Sequence, residues 1–255
     1  VPQPPPAAAN APAPSFSLQE ATLTAAAFGG IALTSVLIPT PPDGWREDLG
    51  PDTWVQDRLR FSKPRTAELL SDIGQGALLA SALVDASIVA LRDGRWDLAA
   101  RMALIDVQAA ALTGVVVMLT KSSIGRVRPD AEPCADGGYA CRSNNARESI
   151  VSGHAAASFT AAGLACSHRR RLSISGSETG DALTCAGLIA AALGSSLMRV
   201  SANRHWLSDV VAGGLVGLSS GLLVPELVYA GANSDLQPSL RILATAVRYD
   251  AEPGY

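Results

Sequence analysis

The sequence predicts an all-α protein, a helical bundle of about six core helices. Six apolar stretches recur along the chain, and most are longer than an ordinary β-strand. Aromatic residues make up only 5% of the chain, whereas Ala, Leu, Val and Gly are abundant, which favours helices packed through small residues over a β-sandwich. With 255 residues, 48% of them hydrophobic, the chain is long enough for one sizeable core and does not require two domains.

The predicted core helices are separated by polar segments or by breaks that contain Pro and Gly. In chain order they are Ala21–Ile38, Ile73–Leu91, Leu98–Thr120, Ala155–Ser167, Ala182–Met198 and Val210–Leu227. Asp181 is a suitable N-cap for the fifth helix. The polar segment Trp45–Ser71 predicts one or two short surface helices, and the chain from Ala230 onward is expected to be peripheral.

The N-terminal tract consists almost entirely of Pro, Ala, Gln and Asn. Such a tract cannot bury a core, so we expect residues 1–15 to be disordered and residues 16–255 to form one helical domain. The first residue is Val1 rather than Met, which indicates either the stub left by removal of a signal peptide or an arbitrary starting point. The first explanation predicts a periplasmic or secreted protein.

The four cysteines also fit an exported protein. Cys134 and Cys141 lie in a loop rich in Gly, Asn and Asp, and a disulfide between them makes sense only in an oxidising compartment. Cys166 and Cys185 flank a polar stretch and could meet across a helical hairpin, as a disulfide or as two buried thiols. No cysteine spacing matches a zinc site, so no metal ion is expected.

An integral membrane protein with six spans is the alternative to a water-soluble or membrane-associated bundle. The chain has no charge from Ala21 to Pro42, a segment long enough to cross a bilayer. Asp85 and Asp106, in the second and third stretches, are costly in lipid unless they face the bundle. A cleaved signal followed by six spans would turn the Cys134–Cys141 loop toward the reducing cytoplasm. We therefore favour the soluble or membrane-associated bundle.

The charge of the chain excludes one large class of partners. A net charge of −3 and a pI of about 5.6 provide no global basic field, so nucleic acid is not expected to bind. Any anion site must be local. Lys121 ends an apolar helix, and Pro129 restricts Arg128 to an extended backbone that would aim a guanidinium at phosphate oxygens. On its own, this segment is better explained as a solvated helix C-terminus.

The segment Ser152-Gly153-His154 comes just before a helix that begins near Ala155. A Gly allows the backbone to approach an anion closely, and the amides at a helix N-terminus form a prepared anion site. Ser152 is a reasonable N-cap, and His154 would lie at the mouth of the site, where it could protonate a leaving oxygen. Alone, the three residues fit a capping Ser and an incidental His better.

The last segment contains Arg199, His205 and Asp209. On a helix, a spacing of four residues places Asp209 within reach of an imidazole nitrogen of His205. The carboxylate would then fix the tautomer and support a positive charge on the ring. Read separately, these residues fit a surface His–Asp contact and a capping Arg. Together, the three segments provide three cations, an anion loop and two of the three histidines, the groups that phosphoryl transfer needs without a metal.

With these residues the chain resembles the type 2 phosphatidic acid phosphatase superfamily, a group of bacterial acid phosphatases, membrane lipid phosphatases and vanadium haloperoxidases. The family signature reads Lys, six residues, Arg-Pro; then Pro-Ser-Gly-His; then Ser-Arg, five residues, His, three residues, Asp. Lys121, Arg128 and Pro129 complete the first part. Val151 replaces Pro in the second part and Met198 replaces Ser in the third. Both departures spare every residue with a proposed chemical role.

The resemblance implies a role for each matched residue. His205 would attack phosphorus, Asp209 would orient and charge-stabilise it, and His154 would protonate the leaving oxygen and then activate water. The implied phosphate-binding residues are Lys121, Arg128, Ser152, Gly153 and Arg199. Arg204 lies outside the signature and is expected to be a surface or supporting cation.

The resemblance also implies the reaction. We expect a metal-independent phosphomonoesterase without a cofactor, acting through a phosphohistidine intermediate on lipid phosphates, lipid pyrophosphates or small phosphate esters. Vanadate is expected to inhibit it. A non-catalytic bundle that binds phosphate or phospholipid and a vanadate-dependent haloperoxidase are the alternatives. The sequence does not indicate the leaving group or the oligomeric state.

Overall fold

A computed structural model of the chain describes residues 18–38, 41, 44–45, 49–131 and 144–231. These residues form α-helices and short 3-10 segments, and no strand occurs among them, which confirms the predicted fold class. The tract 1–15 and the Cys134–Cys141 loop lie outside the described residues. The α-helices are α1 (Leu18–Leu37), α2 (Gly50–Leu59), α3 (Pro64–Asp93), α4 (Trp96–Ile124), α5 (Gly153–Leu172), α6 (Glu178–Ser201) and α7 (Leu207–Gly231).

The six predicted core helices correspond to α1 and to α3 through α7. The polar segment Trp45–Ser71 contains the short helix α2, as predicted, and also the first part of α3. Helix α3 begins at Pro64, and proline is well suited to the first position of a helix because the backbone N–H that it lacks has no intrahelical acceptor there. The polar start of α3 carries residues that take part in the site described below.

The helix caps test the local predictions. Ser152 is the N-cap of α5, and its hydroxyl accepts a hydrogen bond from the Ala155 amide at 3.4 Å, as expected. The predicted cap Asp181 is wrong, because α6 begins one turn earlier. Ser177 caps α6 and accepts from the Gly180 amide at 3.1 Å. Asp181 instead accepts hydrogen bonds within the α5–α6 hairpin.

Helices α5 and α7 pack with their backbones in contact. Along α7, Gly213, Gly217 and Gly221 are spaced by four residues, and a Cβ atom on Gly217 would lie 2.1 Å from the Ala156 carbonyl oxygen. Only glycine permits this approach, which confirms the prediction of packing through small residues. We refer to these three positions as the glycine seam. The seam brings the start of α5 beside the start of α7.

At the opposite end of the bundle, charged residues are buried in pairs. His168 Nε2 lies 2.9 Å from Asp106 Oδ1, and Arg169 contacts the carboxylates of Asp85 and Asp181. Asp85 and Asp106 therefore face other helices, as their position in apolar stretches requires. A disulfide joins Cys166 of α5 to Cys185 of α6, which decides between the two predicted states of these cysteines.

Many apolar side chains of the bundle point outward. Leu83, Leu183 and Leu215 are 68%, 68% and 64% exposed. Among the described residues, four segments are long and apolar enough to cross a membrane, and only 22% to 39% of their most apolar windows is buried. These segments are Pro64–Asp93, Trp96–Ala131, Glu178–Ser201 and Leu207–Leu227.

Such a surface is costly in water, because exposed apolar area is unfavourable by about 25 cal/mol per Å². The structure therefore favours the membrane-embedded alternative over the water-soluble bundle. The expectation of a periplasmic or secreted protein is not confirmed, and the described residues provide four candidate spans where the alternative anticipated six.

Candidate active site

The three predicted segments meet at one end of the bundle. Lys121 lies in the last turn of α4, and a left-handed glycine, Gly125 with φ 62°, ends that helix and turns the chain toward Arg128. Ser152 to His154 start α5, Arg199 lies in the last turn of α6, and His205 comes just before α7. The positive charges of Arg128, Lys121 and Arg199 all act on the His205 ring, so the structure brings these predicted site residues together.

His205 is buried, with an exposed fraction of 2%, and one hydrogen bond fixes its ring. Its Nδ1 atom lies 2.8 Å from the backbone carbonyl oxygen of Ser149. Because a carbonyl oxygen can only accept, Nδ1 carries the hydrogen and Nε2 keeps its lone pair in the neutral ring. Nε2 is thus the nitrogen that can act as a nucleophile.

Asp209 does not hold this ring directly. The His205 residue precedes α7 instead of sharing a helix with Asp209, and its Nδ1 lies 3.9 Å from Asp209 Oδ2, beyond hydrogen-bonding distance. The carboxylate instead accepts hydrogen bonds from the Ser149 hydroxyl at 2.5 Å and the Trp206 amide at 2.9 Å. Ser149, which the sequence did not single out, therefore contacts both members of the predicted pair.

A buried ion network lies behind Asp209. Arg126 Nη1 donates to Asp209 Oδ1 at 2.7 Å, and Arg126 Nη2 donates to Asp52 Oδ2 at 2.7 Å. The guanidinium is 1% exposed and lies 4.3 Å from the centroid of the Trp45 ring. Burial acts to raise the pKa of Asp52, but hydrogen bonds from Ser208 and Arg126 outweigh it, so the pKa lies below its usual value.

Two of the predicted phosphate-binding cations are not neutralised by the protein. Neither Lys121 nor Arg128 forms an ion pair or hydrogen bond through its side chain within the part of the chain that the structure describes. The buried Nε atoms of Arg128 and Arg199 also lack a hydrogen-bond partner there. Lys121 Nζ lies 3.8 Å from where a Cβ atom on Gly153 would be, so the ammonium is close to the predicted anion loop. Buried donors without partners are costly, and an anion would satisfy them.

The pKa values of both histidines of the site lie below the usual value. Burial, and then the charges of Arg128, Lys121 and Arg199, hold the pKa of His205 well below its usual value, so its ring is neutral near pH 7. Burial and then Arg199 also lower the pKa of His154. A neutral His205 is the form that can attack phosphorus.

One further carboxylate contacts the site. Asp72 Oδ1 lies 2.9 Å from His154 Nε2 and 3.1 Å from Arg199 Nη1. Asp72 could not be singled out from the sequence, because it lies at the polar start of a long apolar helix. Arg204, expected to be a surface or supporting cation, pairs with Glu68 and Asp130 at 3.0 Å each.

An apolar groove leads away from the cations. It has a volume of about 590 Å³ and is lined by side chains of α1, α3, α4 and α5, among them Leu79 and Val117. Lys121 and Gly153 lie at one end of it and Asp106 lies toward the other. With a rise of about 1.5 Å per residue, the distance along α4 between Lys121 and Asp106 is roughly 22 Å.

The fold and the site define a class: an all-α protein with two histidines and several cations gathered at one end of its bundle. The family model described as the PAP2 superfamily matches residues 103–231, about half of the chain. This chain belongs to the PAP2 superfamily, which confirms the resemblance drawn from the three segments.

Two known proteins are similar to this chain. The lipid A 1-phosphatase of Porphyromonas gingivalis is 32% identical over 136 residues, which cover 53% of this chain and 25% of the relative. This chain thus matches about a quarter of the length of that curated relative. The crystal structure of a transmembrane PAP2 type phosphatidylglycerolphosphate phosphatase from Bacillus subtilis has the same fold, with a TM-score of 0.52 and 17% identity over 84% of this chain and 98% of that one.

Proposed function

We propose that this protein is a phosphatase that hydrolyses phosphate monoesters, above all lipid phosphates, through a phosphohistidine on His205 and without a metal ion. The observation that carries the proposal is the state of His205. Its Nδ1 donates to the Ser149 carbonyl, which leaves the Nε2 lone pair free among the positive charges of Arg128, Lys121 and Arg199. A neutral nucleophile among cations suits attack on an anionic phosphate.

In the first step, the cations and the amides at the start of α5 would bind the phosphate oxygens. The Nε2 lone pair of His205 forms the P–N bond while the bond from phosphorus to the leaving oxygen breaks. His154 gives its proton to that oxygen. The ring of His205 gains positive charge, and Asp209, whose Oδ2 lies 3.9 Å from Nδ1, stabilises that charge through space.

In the second step, the now neutral His154 takes a proton from a water molecule. The water oxygen forms a bond to phosphorus, the P–N bond breaks, and its electron pair returns to Nε2 of His205. Inorganic phosphate leaves and both histidines regain their starting state. Asp209 is kept in place by Ser149 and by the buried Arg126, so it need not move during the cycle.

The apolar groove supports a lipid as the substrate. It begins at Lys121 and Gly153, where the phosphate would bind, and its apolar lining suits an acyl chain. Two residues that line it, Lys121 and Asp106, are separated along α4 by roughly 22 Å, which exceeds half of the hydrocarbon thickness of a bilayer, about 15 Å. The similar lipid A 1-phosphatase is named for a lipid phosphate as well.

The reaction is tested with p-nitrophenyl phosphate in the presence of EDTA. We expect activity that survives EDTA, is inhibited by vanadate and is absent from His205→Gln. A labelled phosphoenzyme that is stable to base and labile to acid, as a P–N bond is, would be trapped in the native chain alone. Activity that EDTA removes, or that His205→Gln retains, contradicts the mechanism. Tight binding of phosphate without turnover would favour the non-catalytic bundle instead.

The lipid substrate is tested by filling the groove. Ala110 lines the groove on α4, whereas Ala100 is exposed on the same helix and lies outside it. Ala110→Phe should raise KM for phosphatidic acid and leave p-nitrophenyl phosphate hydrolysis unchanged, because only the lipid needs the groove. Ala100→Phe is the matched control. If both variants behave alike with both substrates, the groove does not bind the acyl chain.

A further inference from the structure

We propose that Asp72 is the positioning residue of His154: its carboxylate holds the imidazole and retains on it the proton that the leaving oxygen receives. The inference rests on the proposed function, because it assigns a carboxylate to the acid of that reaction. Neither the family signature nor the three sequence segments contain Asp72.

The geometry places Asp72 between the two groups on which it acts. It lies on α3, while His154 starts α5 and Arg199 ends α6, so one carboxylate oxygen joins three helices at the mouth of the site. The side chain of Asp72 is 51% exposed, that of His154 is 30% exposed and that of Arg199 is 7% exposed. Because Asp72 holds Nε2 of His154, the proton that the leaving oxygen receives is the one on Nδ1.

The charges around His154 show why a carboxylate is needed. Arg199 on α6 and Lys121 on α4 face it with positive charge, and Asp72 on α3 faces it with negative charge. Burial and then Arg199 lower the pKa of His154, while the hydrogen bond and charge of Asp72 act in the opposite direction. Without Asp72, the positive charges of Arg199 and Lys121 would lower the pKa of His154 further, and His154 would lose the proton that it must donate.

His205 provides the internal comparison. Both histidines are subject to the positive charges of Lys121 and Arg199, but they have different hydrogen-bond partners. His205 donates to a neutral carbonyl, whereas His154 contacts the Asp72 carboxylate. The pKa values of both rings lie below the usual value, but only at His154 does a carboxylate oppose the lowering, which favours the acid role for that ring.

The assigned step conserves charge and protons. The proton moves from His154 to the leaving oxygen as the bond between phosphorus and that oxygen breaks. Asp72 forms no bond to the substrate and keeps its charge throughout. When His154 later removes a proton from water, the same carboxylate stabilises the imidazolium that forms.

The test compares two substrates with Asp72→Asn. A lipid phosphate has an alkoxide leaving group that needs a proton, whereas p-nitrophenolate leaves readily without one. We expect kcat for phosphatidic acid in detergent to fall by about 10²-fold, at the lower end of what general acid catalysis contributes. The loss with p-nitrophenyl phosphate should be several-fold smaller, and the basic limb of the kcat profile should move to lower pH.

Two variants control for structural effects. Asp72→Glu keeps the charge and should recover most of the lost activity. Asp93→Asn removes another exposed carboxylate of α3 that pairs with an arginine, Arg92, far from the site, and should match the native chain. An equal loss with both substrates and an unmoved basic limb would show that Asp72 is merely structural and overturn the proposal.

A second measurement does not depend on turnover. The chain has three histidines, and His154→Gln identifies the NMR signal of His154 in a pH titration of the micellar protein. We expect Asp72→Asn to lower the midpoint of that signal by about one unit or more. An unchanged midpoint overturns the role of Asp72 whatever the activity. If the native chain hydrolyses neither substrate, the proposed function fails, and the midpoint still decides whether Asp72 controls the protonation of His154.

Discussion

The two ends of the bundle differ in whether an arginine is left without a carboxylate partner among the described residues. At the end that carries the disulfide, Arg169 is matched by Asp85 and Asp181, and His168 is matched by Asp106. At the end that carries the site, the Arg128 side chain has no carboxylate partner among the described residues, and its buried Nε has no hydrogen-bond partner there. Both ends are rich in charge, but only the second leaves positive charge for a ligand.

The difference shows how a binding site can be told from a structural network. Paired buried charges satisfy each other, so removing one partner leaves an uncompensated charge in the interior. A buried cation without a partner is uncompensated in the native chain already. A bound anion would remove this free-energy penalty. Substitution of the paired Arg169 should therefore reduce stability, and substitution of Arg128 should reduce activity.

The largest effect is expected at the structural end. Arg169→Gln leaves Asp85 and Asp181 without their cation, which should lower the free energy of unfolding by about 3–5 kcal/mol. The control is Arg170→Gln, whose side chain is 72% exposed and lies 3.7 Å from Glu226. Its loss should stay within about 1 kcal/mol. Denaturant unfolding in detergent measures both, and equal midpoints for the two variants would contradict the interpretation.

At the site end, the corresponding arginine-to-glutamine substitution should reduce catalytic activity instead of stability. Arg128→Gln removes a donor aimed at the phosphate and should lower kcat/KM by about 10²–10³-fold. Its free energy of unfolding should be equal to or above that of the native chain, because the guanidinium has no ion-pair partner to lose among the described residues. A marked loss of stability in Arg128→Gln would show that this arginine is a structural residue.

The glycine seam runs along α7 away from the site, so positions near to and far from the site can be compared within one helix contact. A Cβ atom on Gly213 would lie 2.5 Å from the Ser152 carbonyl oxygen, next to the site, and one on Gly221 would lie 2.4 Å from the Thr160 carbonyl oxygen, farther along α5. Either alanine substitution should lower the free energy of unfolding by about 1–3 kcal/mol, as overpacking does.

Only Gly213→Ala should also reduce activity, because it displaces the anion loop. Gly187→Ala, with open space around its Cβ position, is the neutral control. Thermal unfolding and p-nitrophenyl phosphate hydrolysis separate the two effects. Equal activity losses in Gly213→Ala and Gly221→Ala would contradict a local effect on the loop.

The smallest effect is a dependence of stability on pH. The pKa of His205 is well below its usual value in the folded chain, so the unfolded chain binds more protons as the pH falls below about 6.5. Stability in the absence of phosphate should then fall by up to about 1.4 kcal/mol per pH unit until the folded pKa is reached. His205→Gln should remove this part of the slope, and an identical slope in the variant would contradict it.

The sequence could predict the helices because each core helix has its own long apolar stretch. It could also predict which residues meet at the site, because the spacing of Lys121, Arg128, His154 and His205 is that of the family signature. It could not predict Asp72, because the contact between Asp72 and Arg199 joins residues 127 positions apart through the packing of α3 on α6. Such a contact has no local pattern.

The buried network behind Asp209 was missed for a related reason. Arg126 lies within the Lys121–Pro129 segment, but its partner Asp52 is 74 positions away in a short helix that no apolar stretch marks. The direct contact predicted between His205 and Asp209 is absent because α7 begins at Leu207, after His205. The sequence pattern does not define that starting residue. Arg126 itself was the one available signal of this network. It is an additional arginine in a segment of cations, and an arginine that becomes buried needs a carboxylate partner.

The glycine seam also has a consequence for motion. Where backbones touch, no side chain can rotate to make room, so α5 and α7 cannot slide past each other without losing the contact. We therefore expect His154 and His205 to move as one rigid half of the site. A lipid that enters the groove beside α3 and α4 would therefore meet two histidines at a fixed spacing.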